Sequence, residues 1–224
     1  MTYGSVLPEQ HIAAGTLWQH VSIRDYRKAP LHFGRSGGNR YDDPAGRAGV
    51  LYLAPDLSTA LMESVFHRHQ WSRCKRTVTL SEIDRRIVRI VGAISDLYLA
   101  DLTAPNVMAA CLGLNLYQLS SRNYRYTQSI TTRVLGTPMR DGTPFDGLLY
   151  PSRNNYPAVC LALFETAAPK LVVLDDLRTV RVGLTIYRGQ VVAEAGSLVA
   201  GAMPAQAAAP AALLDSVHMA PLML

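Results

Sequence analysis

Several features that would assign a class at once are scarce or absent in this sequence. Its 224 residues include only three cysteines, Cys74, Cys111 and Cys160, with no C-x-x-C pair, so neither a disulfide framework nor a cysteine-based zinc site is predicted. No run of about 18 apolar residues occurs, and the N-terminus lacks a basic flank followed by an apolar core. We therefore expect no membrane span and no secretion signal, and a reducing cytoplasm fits the cysteine usage best.

The standard nucleotide and hydrolase motifs are also missing. There is no G-x-x-x-x-G-K-[ST], H-E-x-x-H or G-x-S-x-G, and "GRSGG" matches neither a Rossmann fingerprint nor a P-loop. Glu63 and His67 share one helix face at i, i+4, while His69 points elsewhere. Two ligands do not make a metal site, so a solvated helix flank is the favoured interpretation and no metal is predicted.

What is present is enough apolar residue for a core and a modest excess of positive charge. Hydrophobic residues make up 49% of the chain, so one domain with a substantial core is the simplest prediction. The 22 Lys and Arg against 17 Asp and Glu give a formal charge of +5. This balance suits a dinucleotide, an acidic partner protein or nucleic acid, and does not choose between them.

The apolar patterns predict strands and helices in irregular order. A helix is predicted from Asp56 to Gln70, with Asp56 or Ser58 as its N-cap, and a mostly helical region from about 106 to 135. Strands are predicted over Thr16–Arg27, Gly49–Ala54, "KRTVTL", "RRIVRIVG", the two ends of "LLYPSRNNYPAVCLALF", "KLVVLDD" and "VRVGLTIYRG". This order predicts an α+β fold rather than a doubly wound βαβ fold.

The C-terminal part differs in composition from the rest. Residues 193–224 are rich in Ala and Pro with almost no charge, and Pro204, Pro210 and Pro221 prevent one long helix. We expect a single domain over residues 1–192 and a tail over 193–224, and a flexible end is favoured over a functional arm.

Taken one at a time, the candidate site residues have ordinary structural interpretations. Arg40 in "NRYDDP" is expected to pair with Asp42 or Asp43 across a turn. Tyr52 lies in an apolar strand, where an aromatic ring usually packs, and Ser152 fits a turn.

Their order along the chain, however, resembles the RES family, a domain named for its arginine, glutamate and serine and found in bacterial toxin-antitoxin modules. The matching segments are "PLHFGRSGGNRYDDP", "GVLYLAPDLSTALMES" and "FDGLLYPSRNNYPAVCLALF", and "YTQSITTRV" is a weaker match to the Thr-Gln helix of the family. The resemblance covers about residues 15 to 190.

The resemblance implies a set of site residues. The family arginine falls on Arg40, its pocket tyrosine on Tyr52, its glutamate on Glu63 and its serine on Ser152, and these four are the implied catalytic residues. Substrate binding is assigned to Arg40, Tyr52 and Ser152 together with Tyr41 and Arg153. Arg35 and Arg47 remain rivals to Arg40.

The resemblance further implies a fold similar to the ADP-ribosyltransferases and a toxin that cleaves the nicotinamide-ribose bond of NAD+. Water or inorganic phosphate would be the nucleophile, and no separate cofactor is expected. A cognate Xre-like antitoxin is the implied partner, a homodimer is left open, and neither membrane nor nucleic acid is expected to bind.

Three alternatives stay open. The first is ADP-ribose transfer to a macromolecule, which needs the same grip on NAD+. The second is a nucleic-acid-binding protein or ribonuclease, suggested by "SRNYRYTQ" and "WSRCKR", which mix basic and aromatic residues. The third is a catalytically inactive interaction domain, for which the apolar tail is the only specific hint.

Overall fold

The computed structural model describes residues 7–66, 80–107, 111–177, 183–187 and 190–194. The α-helices in these ranges are α1 Leu57–Ser64, α2 Leu80–Asp84, α3 Leu116–Ser120 and α4 Arg125–Leu135. The strands are β1 Glu9–Ile12, β2 Leu17–Ile23, β3 Val50–Leu53, β4 Arg86–Ala93, β5 Leu97–Asp101, β6 Gly147–Pro151, β7 Val159–Phe164, β8 Leu171–Leu177, β9 Gly183–Tyr187 and β10 Gln190–Glu194. Two 3₁₀ segments, Arg24–Tyr26 and Glu165–Lys170, follow β2 and β7. None of the helices in the described ranges is long and apolar enough to cross a membrane.

The described strands form three sheets. The five-stranded sheet has the order β1-β5-β6-β7-β3, the three-stranded sheet has the order β2-β4-β8, and β9 pairs with β10. Within the described ranges, all strand pairs are antiparallel except β5 with β6. The α+β class is therefore confirmed.

The five-stranded sheet is buried on both faces. Side chains alternate along β7, so Leu161 and Leu163 pack with residues of the three-stranded sheet, whereas Cys160 and Ala162 pack with residues of α1, α3 and α4. Complete burial of one leucine contributes about 1.5–3 kcal/mol relative to exposure. The alternation therefore stabilises both layers and places Tyr52 of β3 on the face covered by helices.

Several predicted elements are confirmed with small changes in their bounds. The strands predicted over "RRIVRIVG", "KLVVLDD" and the two ends of "LLYPSRNNYPAVCLALF" correspond to β4, β8, β6 and β7. The predicted strand Thr16–Arg27 ends at Ile23, where a 3₁₀ turn begins. Asp56 is the N-cap of α1, because its carboxylate accepts from the Thr59 amide at 2.7 Å.

Other predictions are wrong or fall outside the described ranges. The helix predicted to reach Gln70 ends at Ser64, and residues 67–70 are not described. Of the predicted strand "KRTVTL", residues 75–79 are not described and Leu80 begins α2. The "SEID" segment, which separates the predicted strands "KRTVTL" and "RRIVRIVG", is helical, and Glu82 pairs with Arg86 one turn later. The predicted tail is not described from residue 195 onward.

Candidate functional site

A carboxylate bound on one side by donors is the centre of the candidate site. Glu63 lies in the second turn of α1, and its Oε1 accepts from Ser152 Oγ at 2.6 Å, from Asn154 N at 3.0 Å and from Asn154 Nδ2 at 3.2 Å. Among the described residues, Oε2 of Glu63 has no hydrogen-bond partner. Three donors on one oxygen fix the carboxylate and leave its other oxygen available to a ligand.

The loop between β6 and β7 supplies these donors. Ser152 is buried, and its hydroxyl donates to Glu63 while accepting from the Asn155 amide at 2.9 Å. Asn155 Nδ2 also donates to Thr59 Oγ1 of α1 at 2.7 Å. The loop and the helix are therefore joined at two points, one turn of α1 apart, and Ser152 and Glu63 are brought together across 89 residues of chain.

The flank of α1 that carries Glu63 is packed, so the predicted solvated flank is wrong. Ala60 is 5% exposed and Thr59 is fully buried, and Glu63 itself is only partly exposed. The helical wheel missed this because the helix is covered on two sides, by the sheet and by the β6–β7 loop. His67 and His69 lie outside the described residues.

A small cavity lies beside the carboxylate. Its volume is about 50 Å³, enough for a few water molecules, and Glu63, Tyr52, Tyr150 and Cys160 are among its lining residues. Burial raises the pKa of Cys160 to about 12, and the negative charge of Glu63 adds to this effect. The thiol therefore stays protonated and is not a nucleophile.

Tyr52 lines the cavity, and its hydroxyl makes two hydrogen bonds within the protein. The hydroxyl accepts from the Tyr41 amide at 2.9 Å and donates to Asp42 Oδ1 at 2.9 Å. Burial, followed by the charge of Asp42, raises the pKa of Tyr52 well above its usual value. Its single proton is therefore used within the protein.

Arg40 is buried and does not pair with either neighbouring aspartate, so the predicted turn pairing is wrong. It is 8% exposed, and its Nη2 donates to the Leu119 carbonyl of α3 at 2.8 Å. The guanidinium carbon lies 5.0 Å from the ring centre of Tyr41 and 5.7 Å from that of Tyr150, within cation-π range. Within the described ranges, its Nε and Nη1 have no hydrogen-bond partner.

The two rival arginines have other partners. Arg47 donates from Nε and Nη2 to Asp43 at 3.0 Å, and this lowers the pKa of Asp43 to about 2. Arg35 pairs with Glu165 and donates to two backbone carbonyls. Both arginines are about half exposed. Of the three arginines, only Arg40 is buried, beside Tyr41 and Tyr150.

Tyr41 and Arg153 occupy different surroundings from the four central residues. Tyr41 is fully buried, and burial raises its pKa to about 12. Arg153 points toward the end of α3, where its Nη1 donates to the Ser120 and Ser121 carbonyls at 3.4 and 3.3 Å. Tyr41 therefore packs in the core against Arg40, whereas Arg153 remains partly exposed.

Sequence reasoning missed the residues that hold the site together. Asn154 and Asn155 fall between the two strands predicted in "LLYPSRNNYPAVCLALF", and Gln128 and Thr131 enter the predictions only through the match to the Thr-Gln helix. In the structure Gln128 Nε2 donates to the Gly37 and Asn39 carbonyls at 2.8 and 3.0 Å, and Thr131 Oγ1 donates to the Tyr41 carbonyl at 2.9 Å. The polar run "SRNN" directly after an apolar strand was the available signal for the two asparagines.

The fold and site thus define a class: a mixed α+β domain in which a buried arginine, a glutamate and a serine gather on the helix-covered face of a five-stranded sheet. The RES domain family model matches residues 16–184. The chain therefore belongs to the RES domain family, and Arg40, Tyr52, Glu63 and Ser152 all lie inside the matched region. A search of curated proteins gives no match.

Proposed function

We propose that this protein is an enzyme that cleaves the nicotinamide-ribose bond of NAD+, by hydrolysis or phosphorolysis. The observation that carries the proposal is the Glu63 carboxylate, with one oxygen bound by three donors and the other without a partner in the described structure. Membership of the RES family and a site built on one carboxylate both support it. Similarity to the ADP-ribosyltransferase fold is part of the same proposal.

The chemistry needs a carboxylate at this place. Nicotinamide leaves NAD+ as a neutral base, and the ribose carbon it leaves becomes strongly cationic in the transition state. A fixed negative charge beside that carbon stabilises the transition state more than the ground state. Glu63 would supply this charge, hold a ribose hydroxyl or orient the incoming water or phosphate.

Ser152 takes a more restricted role than the sequence suggested. Because its proton is donated to Glu63 and one lone pair accepts from Asn155, only an acceptor site is left for substrate. We propose that the remaining lone pair of the Ser152 hydroxyl accepts from the carboxamide NH₂ of nicotinamide or from a sugar hydroxyl.

Arg40 and the tyrosines would form the other wall of the substrate site. Two nitrogens of Arg40, Nε and Nη1, have no partner in the described structure, and their N–H groups suit a phosphate oxygen of NAD+ or an inorganic phosphate nucleophile. The ring of Tyr52 would pack against nicotinamide or its ribose, Tyr41 would support Arg40, and Arg153 would add an anion contact at the edge.

In the cell, we propose that the protein is the toxin of a type II toxin-antitoxin system and acts in the cytoplasm by depleting NAD+. A cognate Xre-like antitoxin would neutralise it, and the charge of +5 would favour encounter with an acidic segment of that partner. Assembly as a homodimer is compatible with this proposal.

The test of this function follows the fate of label in NAD+. Purified protein, freed of any co-purifying partner, is incubated with NAD+ labelled in the adenosine part. Free ADP-ribose or its phosphorylated form is the expected product, and expression in bacteria should stop growth as cellular NAD+ falls. Label retained on protein or nucleic acid would indicate ADP-ribose transfer instead, and intact NAD+ in every condition would contradict the proposal.

A further inference from the structure

We propose that Asp42 and the Tyr52 hydroxyl form a positioning pair that fixes the loop carrying Arg40, and so sets where the Arg40 guanidinium meets substrate. The mechanistic part rests on the proposed function. The sequence predicted Asp42 only as a possible ion-pair partner of Arg40, and it predicted no positioning role for Asp42 or for the Tyr52 hydroxyl.

Asp42 is a buried carboxylate that is satisfied by hydrogen bonds rather than by a cation. It is 1% exposed and accepts from the Tyr52 hydroxyl at 2.9 Å, the Asn39 amide at 3.0 Å and Ser36 Oγ at 3.2 Å. No Lys or Arg of the described ranges lies within ion-pair distance of it. A buried charge that depends on such donors holds them firmly, since losing one leaves the charge under-solvated.

The Tyr52 hydroxyl connects this carboxylate to the residue next to Arg40. It accepts from the Tyr41 amide and donates to Asp42, so one oxygen ties two consecutive residues of the loop to strand β3. Because its only proton is already donated to Asp42, the hydroxyl cannot also donate to substrate. Its polar contribution is therefore made through the loop.

The rest of the loop is fixed on both sides of Arg40. Gln128 of α4 donates to the Gly37 and Asn39 carbonyls, and Thr131 donates to the Tyr41 carbonyl. By contrast, the Arg40 side chain makes a single hydrogen bond in the described structure, to the Leu119 carbonyl. Beyond this bond and the ring contacts to Tyr41 and Tyr150, the position of the guanidinium depends on its backbone. The backbone is in turn held by Asp42, Tyr52 and α4.

Asp43 provides a matched control one residue away. It is also 1% exposed, but its carboxylate binds the Ala45 and Arg47 amides and the Arg47 guanidinium. In the described structure it makes no hydrogen bond to Tyr52 or Arg40. A general loss of folding should affect Asp42→Asn and Asp43→Asn alike. A loss of Arg40 positioning should affect only Asp42→Asn.

The kinetic test is a double-mutant cycle on NAD+ cleavage. We expect Asp42→Asn and Tyr52→Phe each to lower kcat/KM by about tenfold or more, while Asp43→Asn stays within about twofold. When Arg40→Ala is already present, adding Tyr52→Phe should change kcat/KM by less than about twofold, because the pair acts through Arg40. Losses that multiply in the double variant would overturn the proposal.

A second measurement does not depend on any activity. Amide hydrogen exchange at residues 39–42 should be faster in Tyr52→Phe and Asp42→Asn than in the wild type, and unchanged in Asp43→Asn. If the wild type cleaves no NAD+, the proposed function fails, yet this exchange pattern still decides whether the pair fixes the loop. Unchanged exchange at residues 39–42 in Tyr52→Phe would overturn the positioning role.

Discussion

At the scale of single residues, the Glu63 carboxylate works as a pair of unequal oxygens. Its Oε1 is saturated by Ser152 and Asn154, so the carboxylate cannot rotate without losing three hydrogen bonds. Net, each such bond to a charged group contributes about 1.5–3 kcal/mol. The β6–β7 loop thus fixes the orientation of the carboxylate and so the position of Oε2. Mutating the loop should reduce activity without removing the carboxylate.

Ser152→Ala tests directly whether the loop orients the Glu63 carboxylate. The substitution removes the 2.6 Å donor to Glu63 and should lower kcat by about 10- to 100-fold. Because a buried bond to a charged group is lost, the thermal midpoint should also fall by several degrees. Steady-state kinetics on NAD+ check the result. Ser129→Ala, which removes an exposed hydroxyl bound to its own helix, is the control and should behave as the wild type.

Arg40→Lys should also be severe, although it keeps the positive charge. A lysine ammonium cannot reproduce two spaced N–H donors while a third binds the Leu119 carbonyl. We expect kcat/KM to fall by at least about tenfold, whereas Arg47→Lys, at a half-exposed arginine that pairs with Asp43, should change it little. Equal effects of the two substitutions would contradict the assignment of Arg40.

At the scale of secondary structure, β6 depends on a glycine to bring Ser152 to the helix. A Cβ on Gly147 would lie 2.3 Å from the Ala162 carbonyl oxygen and 2.8 Å from Leu163 Cα of β7. Since both contacts are with backbone, neither neighbour can move without disturbing the β6–β7 pairing that leads to the loop.

Gly147→Ala should therefore lower the free energy of unfolding by about 1–3 kcal/mol or more, measured by urea denaturation. Gly34→Ala is the control, because its added Cβ would lie 3.9 Å from the nearest atom outside its chain neighbours, the Val50 carbonyl oxygen. A Gly147→Ala protein as stable as Gly34→Ala would contradict this packing.

The same elements show what sequence reasoning could and could not reach. Asp56 was identifiable as an N-cap because capping is local, and β7 because its apolar run was bounded by turn residues. The burial of Arg40 was not identifiable, because "NRYDDP" favours a local ion pair, and the Tyr52 and α4 contacts that hold its loop come from distant parts of the chain. Resemblance supplied Glu63 and Ser152, but their direct hydrogen bond needed the fold.

At the scale of the whole molecule, a buried histidine joins the three-stranded sheet to the five-stranded sheet and makes the free energy of unfolding depend on pH. His20 of β2 lies opposite Arg89 of β4, and its Nδ1 must carry the proton that it donates to the Tyr52 carbonyl at 2.9 Å. Burial lowers the pKa of His20 to about 4, with a smaller contribution from the charge of Arg89. Between pH 4 and pH 6.5, about the folded and unfolded pKa values, this histidine is therefore mostly neutral in the folded protein and mostly protonated in the unfolded chain.

The free energy of unfolding should consequently decrease as the pH is lowered from 7 to 5. Between the unfolded pKa, about 6.5, and the folded value, about 4, the unfolded state binds more protons, so the free energy of unfolding rises with pH and is lost as pH falls. We expect the wild type to lose about 2 kcal/mol more than His20→Asn between pH 7 and pH 5. Urea denaturation at both pH values measures this difference, and equal losses in the two proteins would contradict it.

The most direct measurement of the central claim is NAD+ loss by purified protein, with product mass determined in the presence and absence of inorganic phosphate. Wild-type protein should release nicotinamide. A phosphate requirement would identify phosphorolysis, and its absence would identify hydrolysis. Glu63→Gln, which keeps the size of the side chain but removes its charge, should lower the rate by at least about 100-fold while remaining folded. Retained turnover in folded Glu63→Gln, or intact NAD+ with the wild type, would contradict the account.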